Sequence, residues 1–248
     1  MITVAIDHVA ASLTSYIGRA VSEAALINVR RKIASISIES GADLVLLNFE
    51  DFDWGGRKFG YKRVILGYPD QVFDKSRALN IPHQRFSGSI GISKLGIHFG
   101  GNSQSGSNAV RGVHLLLASL PKSIKMIIEP YFDNTWSDNQ KLELLKLLLS
   151  KNNKENIFGF KLDLSGDDFL LKAYTTDLCG VPWYARSVGA DYSDFYVEYK
   201  NARALGCSGV IAGAAIWKDQ IRSILDTQSN FSSEISIISE RLKNLSEC

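Results

Sequence analysis

The sequence predicts an α/β protein built as a single (β/α)8 barrel, with one domain over residues 1–248. Short apolar runs recur eight times, and most of them are separated by segments whose apolar residues have a helical period. Repeated alternation of strand and helix calls for a parallel sheet with its helices outside. The length agrees, because barrels of this class close as one domain at about 250 residues.

The eight predicted strands are short apolar runs. They cover residues 3–7, 44–48, 63–67, 94–99, 125–129, 157–163, 182–187 and 209–213. Eight such units close most economically as a barrel.

Helices are predicted between several of these strands. A leucine stripe covers residues 137–150, and Ser137 with Gln140 forms a capping box, so that helix should begin near Asp138. A second helix covers 108–120 and ends before Pro121, a third covers 193–205 before Gly206, and a fourth covers 235–245.

Residues 49–62 do not fit this pattern. They contain three glycines and no helical apolar stripe, which predicts an irregular crossover between the second and third strands. Residues 63–93 are also poorly patterned, so the barrel is expected to be irregular around its second and third units. No domain boundary or internal repeat is evident.

Composition excludes several classes of function. The net charge of +2 is too small for the positive field that non-specific nucleic-acid binding needs. Three cysteines without CxxC spacing are typical of reduced thiols. Because the sequence shows neither a signal-peptide pattern nor a run of about 18 apolar residues, we expect a cytoplasmic protein without a membrane partner.

Charged residues interrupt the predicted strands at positions that should face the barrel interior. Side chains alternate along a strand, so placing Phe158, Phe160 and Leu162 on the helix side points Gly159, Lys161 and Asp163 inward. The same rule places Lys94, Gly96, His98 and Glu129 inward.

These inward residues suggest amine chemistry. Burial and a second nearby lysine disfavour the charged form of a lysine, and a neutral amine can form a Schiff base with a substrate carbonyl. A nearby carboxyl group can then move the protons that the reaction requires. Alternation alone leaves two alternatives open: Lys161 forms a buried ion pair with Glu129 or Asp163, or the strand register is shifted by one residue.

Four segments carry a family resemblance. They are residues 127–130 (IIEP), 160–162 (FKL), 182–189 (PWYARSVG) and 206–218 (GCSGVIAGAAIWK). In this order and spacing they resemble class I aldolases of the tagatose-bisphosphate and sulfofructosephosphate aldolase group. The resemblance extends over about half of the chain, from Lys94 to Lys218, and Asp7 resembles an Asp found after the first strand in the related archaeal-type aldolases.

The resemblance implies a role for each matching residue. Lys161 would be the Schiff-base lysine, Glu129 the general acid and base, and Lys94 a neighbouring lysine that orients the substrate. Asp7 would lie at the mouth of the barrel, next to a substrate hydroxyl.

The anion-binding end departs from the family pattern. Barrels commonly bind phosphate between the loops after strands seven and eight, where Ser187, Gly189 and Gly213 lie. The family has an arginine after the eighth-strand glycine, and this chain has Ala214 instead. Either Arg186 or another cation replaces that arginine, or the substrate has a different terminal group.

The remaining motifs are weaker. His98 is a candidate substrate ligand, whereas His8, His83 and His114 lack metal-ligand spacing, so neither a metal nor another cofactor is expected. The segment 100–107 is rich in Gly and Ser and lacks the Lys-Ser/Thr of a P-loop, which predicts a loop over the mouth. Trp217 should pack in the helix layer.

The leading hypothesis is therefore a metal-independent class I aldolase of carbohydrate metabolism that acts on a sugar or sugar phosphate. Two alternatives stay open: a non-catalytic barrel of aldolase ancestry that binds a sugar derivative, and a Schiff-base lyase or transferase of specialised biosynthesis. A homo-oligomer is compatible with the sequence, which does not fix the oligomeric state.

Overall fold

The protein forms a closed barrel of parallel strands, which confirms the predicted fold class. The computed structural model describes residues 1–7, 10–72, 91–99, 103–149, 154–164, 167–226 and 232–248. Strands follow one another around the barrel in chain order, and the first pairs with the last. They are β1 (Ile2–Ala5), β2 (Leu44–Asn48), β3 (Val64–Val72), β4 (Ile92–Phe99), β5 (Lys125–Phe132), β6 (Ile157–Asp163), β7 (Trp183–Arg186) and β8 (Val210–Ala212).

Helices surround this barrel and bury its outer surface. They are α1 (Ala10–Ile17), α2 (Glu23–Glu39), α3 (Phe49–Phe59), α4 (Ser103–Ser119), α5 (Asp138–Leu149), α6 (Asp168–Asp177), α7 (Tyr192–Ala204), α8 (Ala214–Trp217), α9 (Ile221–Asp226) and α10 (Ser232–Ser246). None of the helices in the described part of the chain is long and apolar enough to cross a membrane.

The prediction of an irregular crossover at residues 49–62 is wrong, because α3 occupies most of it. Asn48 ends β2 and caps this helix: its side-chain oxygen accepts a hydrogen bond from the backbone N–H of Asp51 at 3.1 Å. An N-cap asparagine satisfies one of the free N–H groups of the first turn and so favours the helix.

Two glycines in α3 explain why the sequence pattern misleads. A Cβ on Gly55 would lie 2.4 Å from the side chain of Leu47, and one on Gly56 would lie 2.2 Å from the ring of Tyr61. The glycines therefore allow the helix to pack closely against the barrel rather than breaking it. Residues 73–90, in the third crossover, lie outside the described residues.

The predicted helix starts are confirmed at α5 and wrong at α4. The backbone N–H of Ser137 donates to the side chain of Gln140 at 2.9 Å, which completes the expected capping box before Asp138. In contrast, α4 begins at Ser103, so most of the segment expected to be a loop at 100–107 is helical. Residues 100–102 lie outside the described part of the chain.

The lower part of the barrel interior is filled by apolar side chains. This lower layer consists of Ala5, Leu46, Ile65, Ile127, Tyr184 and Ile211, with Phe158 packed against it. The prediction that Phe158 faces the helices is wrong, because its ring stacks on Tyr184 inside the barrel at a centroid distance of 6.1 Å. The pairing between β5 and β6 shifts here: Met126 pairs with Ile157, and Ile127 pairs with Gly159.

Trp217 lies in the helix layer, as predicted. Its side chain is fully buried, and its indole N–H donates to the backbone carbonyl of Ala5 at 3.1 Å. This bond ties the end of α8 to β1 and so closes the packing between the last and first units of the barrel.

Candidate active site

A layer of polar residues and glycines lies directly above the apolar lower layer. Each of its members is two residues further along the chain than an interior residue below it, so alternation places both on the inner side. This upper layer consists of Asp7, Asn48, Gly67, Lys94, Glu129, Lys161, Arg186 and Gly213, all of which line a cavity of about 1080 Å³. The cavity opens at the carboxyl ends of the strands, where barrel enzymes place their active sites.

Glu129 is at the centre of this layer. Its side chain is 2% exposed, and each of its two carboxylate oxygens forms an ion pair with a lysine. Lys161 Nζ lies 2.8 Å from Oε1, and Lys94 Nζ lies 2.8 Å from Oε2. Arg186 Nη1 adds a third cation at 3.3 Å from Oε1. The ion pair of Lys161 with Glu129, which alternation had left open, is therefore present, whereas Asp163 pairs with Arg186.

These contacts fix the protonation state of Glu129. Burial raises the pKa of a carboxyl group, but the positive charges of Lys161, Lys94 and Arg186 outweigh burial and hold the pKa of Glu129 well below its ordinary value of 4.5. Glu129 is therefore a carboxylate at neutral pH.

Asp7 joins the cluster from the other side of Lys94. Its Oδ2 lies 3.1 Å from Lys94 Nζ, just beyond the end of β1. Gly67 on β3 makes room for it, because a Cβ at this position would lie 2.9 Å from Asp7 Cβ. Lys94 is thus held between two carboxylates.

Arg186 is tightly held. Its Nη2 donates to Asp163 Oδ2 at 2.5 Å, its Nε donates to the other oxygen of the same carboxylate, and its guanidinium lies 4.4 Å above the ring centroid of Tyr131. Burial lowers the pKa of a guanidinium, but the bonds to Asp163 and the charge of Glu129 raise the pKa of Arg186 further above its ordinary value. With these contacts Arg186 positions Glu129, and its predicted role as an anion ligand stays a prediction.

The expected phosphate-binding loops also border the cavity. Ser187, Gly189 and Gly213 line it, as does the buried Ala214 that replaces the expected arginine. Gly189 has φ of +75°, and the exposed Val188 before it has φ of +44°, a conformation that is uncommon for a β-branched residue. The strained turn therefore lies at the mouth of the cavity.

His98 does not line the cavity. It is exposed, and its ring stacks on that of Tyr131 at a centroid distance of 4.6 Å. Tyr131 lines the cavity in its place. Sequence reasoning missed Tyr131, although it follows Glu129 by two residues and alternation would have placed it inward. Asn48 and Gly67 were missed because alternation was applied only to the strands that contain lysine or glutamate.

His114 is the other histidine that the structure describes, and it does not line the cavity. His114 on α4 lies within 3.1 Å of the Leu147 carbonyl on α5, and His8 and His83 lie outside the described residues. Among the residues that the structure describes, no cluster of His, Cys, Asp and Glu has the form of a metal site.

Comparison with known proteins identifies structural neighbours only. No protein-family model matches the sequence, and no curated protein matches it. An archaeal fructose-1,6-bisphosphate aldolase, solved with its catalytic Lys covalently bound to the carbinolamine intermediate of the substrate, superposes with a TM-score of 0.63 at 12% identity, over 98% of this chain and 92% of that chain.

Two further aldolase structures show the same likeness. Fructose-bisphosphate aldolase from Slackia heliotrinireducens matches with a TM-score of 0.64 and 9% identity over 100% of this chain and 85% of that chain. The enzyme from Plasmodium falciparum matches with a TM-score of 0.69 and 12% identity over 98% and 88%. At such low identity the likeness establishes a shared barrel fold.

Proposed function

We propose that this protein is a class I aldolase that forms a Schiff base between Lys161 and a phosphorylated ketose and cleaves or forms a carbon–carbon bond. The observation that carries the proposal is the contact of 2.8 Å between Lys161 Nζ and the buried Glu129 carboxylate inside the barrel cavity. A buried amine beside a buried carboxylate is the pair of groups that imine chemistry requires.

The first steps exchange a proton between these two residues. Lys161 transfers a proton to Glu129 and attacks the C2 carbonyl of the ketose as a neutral amine. Glu129 then returns the proton to the carbinolamine hydroxyl, which leaves as water, and a protonated Schiff base remains. At the end of this sequence Glu129 is again a carboxylate.

Bond cleavage uses the same carboxylate as a base. Glu129 accepts the proton of the C4 hydroxyl, the C3–C4 bond breaks, and its electron pair moves into the iminium to give an enamine and a free aldehyde. Glu129 then protonates the enamine at C3, and water hydrolyses the resulting Schiff base to release the ketone product. Aldol formation is the reverse of these steps.

The neighbouring charges keep Glu129 ionised and hold it in position between proton transfers. Lys94, held by Asp7 at 3.1 Å, lies on the second oxygen of the carboxylate, where it can also donate to a substrate hydroxyl. Arg186 supports the first oxygen and is fixed by Asp163. The upper layer thus supplies an amine, a base and two positioning cations within one cavity.

The structural neighbours support this proposal. The archaeal fructose-1,6-bisphosphate aldolase has the same fold and carries its covalent intermediate on a lysine. The finer resemblance to tagatose-bisphosphate and sulfofructosephosphate aldolases rests on the four sequence segments, and it favours a ketose phosphate as substrate.

Borohydride trapping tests the proposal directly. Incubation with dihydroxyacetone phosphate and borohydride should reduce the Schiff base and add the donor mass to the peptide that contains Lys161. The Lys161→Met variant should give no adduct. Lys125→Met is the matched control, because Lys125 is at the opposite end of β5 and bonds the Glu155 carbonyl outside the cavity.

Two outcomes would contradict the proposal. Full activity of Lys161→Met with an aldol substrate would exclude Lys161 as the nucleophile. Thermal stabilisation by sugar phosphates without an adduct or a product would indicate instead a barrel that binds its ligand without turnover.

A further inference from the structure

The cavity extends beyond the upper layer into the space between α2 and α3. Its wall there includes Leu26 and Arg30 of α2 and Glu50 of α3. Arg30 is 3% exposed, and it lies in the wall of the same cavity as Lys161. A buried arginine in the wall of a cavity is a candidate ligand for an anionic group.

Arg30 has two partners of different kinds. Its Nε donates to Asp51 Oδ2 at 2.6 Å, and Asp51 is 1% exposed. Its Nη2 donates to Glu50 Oε2 at 2.8 Å, and the side chain of Glu50 is 57% exposed. The first partner is therefore fixed in the protein interior, whereas the second borders solvent.

Arg30, Arg31, Glu50 and Asp51 form a cluster of charges in which Glu50 helps to balance the charge of Arg30. Asp51 also accepts from Arg31 Nε at 2.8 Å, so one buried carboxylate is shared by two guanidinium groups. Glu50 supplies the second negative charge. The Glu50 side chain is 57% exposed, so it can rotate into water and leave one edge of the Arg30 guanidinium facing the cavity.

The cations of the upper layer are already paired with carboxylates. Lys94 and Lys161 pair with Glu129, whereas Arg186 pairs with Glu129 and Asp163 and lies over the ring of Tyr131. Arg30 differs from Arg186 in how it holds its exposed partner: one nitrogen of Arg30 bonds Glu50, whereas two nitrogens of Arg186 bond the half-exposed Asp163. An anion bound there would also lie near the first turn of α3, where negative charge is favoured.

We propose that Arg30 binds the phosphate group of the substrate, and that Glu50 occupies this position when the cavity is empty. The identity of the ligand as a ketose phosphate rests on the proposed function, whereas the phosphate site does not. Binding then exchanges one carboxylate for one phosphate on the same guanidinium edge. Glu50 thereby sets the affinity, because every ligand must displace it.

Titration calorimetry with inorganic phosphate tests this site. Glu50→Gln should bind phosphate about five- to tenfold more tightly than the natural protein, because a charged competitor is removed. Arg30→Lys should bind phosphate at least about tenfold more weakly than the natural protein, since a lysine cannot offer the planar pair of N–H donors. Glu155→Gln is the matched control: it removes one exposed carboxylate far from the cavity and should leave the affinity unchanged.

The Glu50→Gln measurement decides the proposal even if Arg30→Lys does not fold. Equal phosphate affinity in Glu50→Gln and the natural protein would overturn it, as would unchanged binding by a folded Arg30→Lys. Borohydride trapping at Lys161 is independent of both results. Failure of the phosphate site and failure of the aldolase proposal are therefore distinguishable.

Discussion

The lower and upper layers of the barrel interior differ in chemistry although they belong to the same strands. On β5 the lower layer contributes Ile127 and the upper layer contributes Glu129, only two residues later. The lower layer is apolar and closes the barrel, whereas the upper layer contains charged groups that form ion pairs with one another, and its Arg186 also pairs with Asp163. One strand thus contributes to stability at one level and to the proposed chemistry at the next.

The largest effect is expected from Glu129→Gln in the upper layer. Removing the carboxylate leaves Lys94, Lys161 and Arg186 without their shared partner, and loss of one member of a buried ion pair costs about 3–5 kcal/mol. Activity should fall by about 10²- to 10⁴-fold, the range for loss of a general acid and base. Urea denaturation and aldolase assays measure the two effects, and a stable variant with normal turnover would contradict the assigned role.

Ile127→Ala in the lower layer should reduce stability and leave turnover largely unchanged. Truncating a buried isoleucine removes apolar contacts and leaves a cavity, which costs about 2–5 kcal/mol of unfolding free energy. The folded protein should keep most of its turnover, because Glu129 and its partners are unchanged. Ile127→Val is the milder control, at about 0.5–1.5 kcal/mol, and loss of turnover in fully folded Ile127→Val would show that the layers are not separable.

The upper layer should also determine how stability depends on pH. Glu129 has a pKa below its ordinary value of 4.5, so its contribution is complete above that value and is lost as the pH falls toward the lowered pKa. The unfolding free energy of the natural protein should therefore decrease below pH 4.5, and Glu129→Gln should show a flatter profile. Parallel profiles for the two proteins from urea titrations at several pH values would contradict this prediction.

The smallest effect is expected from Gly67→Ala, which changes the upper layer without removing a charge. The added Cβ would lie 2.9 Å from Asp7 Cβ and 3.0 Å from Asp7 Oδ2, so the carboxylate must move relative to Lys94. We expect turnover to fall by about tenfold, a loss of about 1.4 kcal/mol in transition-state binding.

Gly91→Ala is the matched control for this substitution. A Cβ at Gly91 would have no atom within 4 Å, so turnover should be unchanged. Equal kinetics of Gly67→Ala and Gly91→Ala would show that the position of Asp7 does not matter to the reaction.

Much of the fold could be predicted because hydrophobic periodicity is local. The eight apolar runs identified all eight strands, and alternation placed Lys94, Glu129 and Lys161 on the inner side without tertiary information. The α3 helix was missed since its glycines serve contacts with Leu47 and Tyr61, which are made only in the folded protein. Propensity alone cannot distinguish such a glycine from a helix breaker.

The candidate site was predictable in part for the same reason. Residues on a regular strand were found by their spacing, whereas Arg30 and Glu50 meet through the packing of α2 against α3. His98 was misplaced because alternation gives the side of the strand but not the height at which the cavity ends. Neither the depth of a cavity nor a contact between helices can be predicted from the sequence pattern of a single strand.

The register shift between β5 and β6 determines which side chain faces Glu129. The extra residue Phe158 lets Gly159 pair with Ile127 and Phe160 with Ile128, which brings Lys161 beside Glu129. With regular pairing from Met126 and Ile157 onward, Phe160 would lie beside Glu129. Lys161 would then pair one residue further along β5, and its side chain would face the opposite side of the sheet. A single inserted residue thus sets the parity of this strand: deletion of Phe158 would let regular pairing keep Lys161 beside Glu129, whereas regular pairing of the full strand would take the amine away from it.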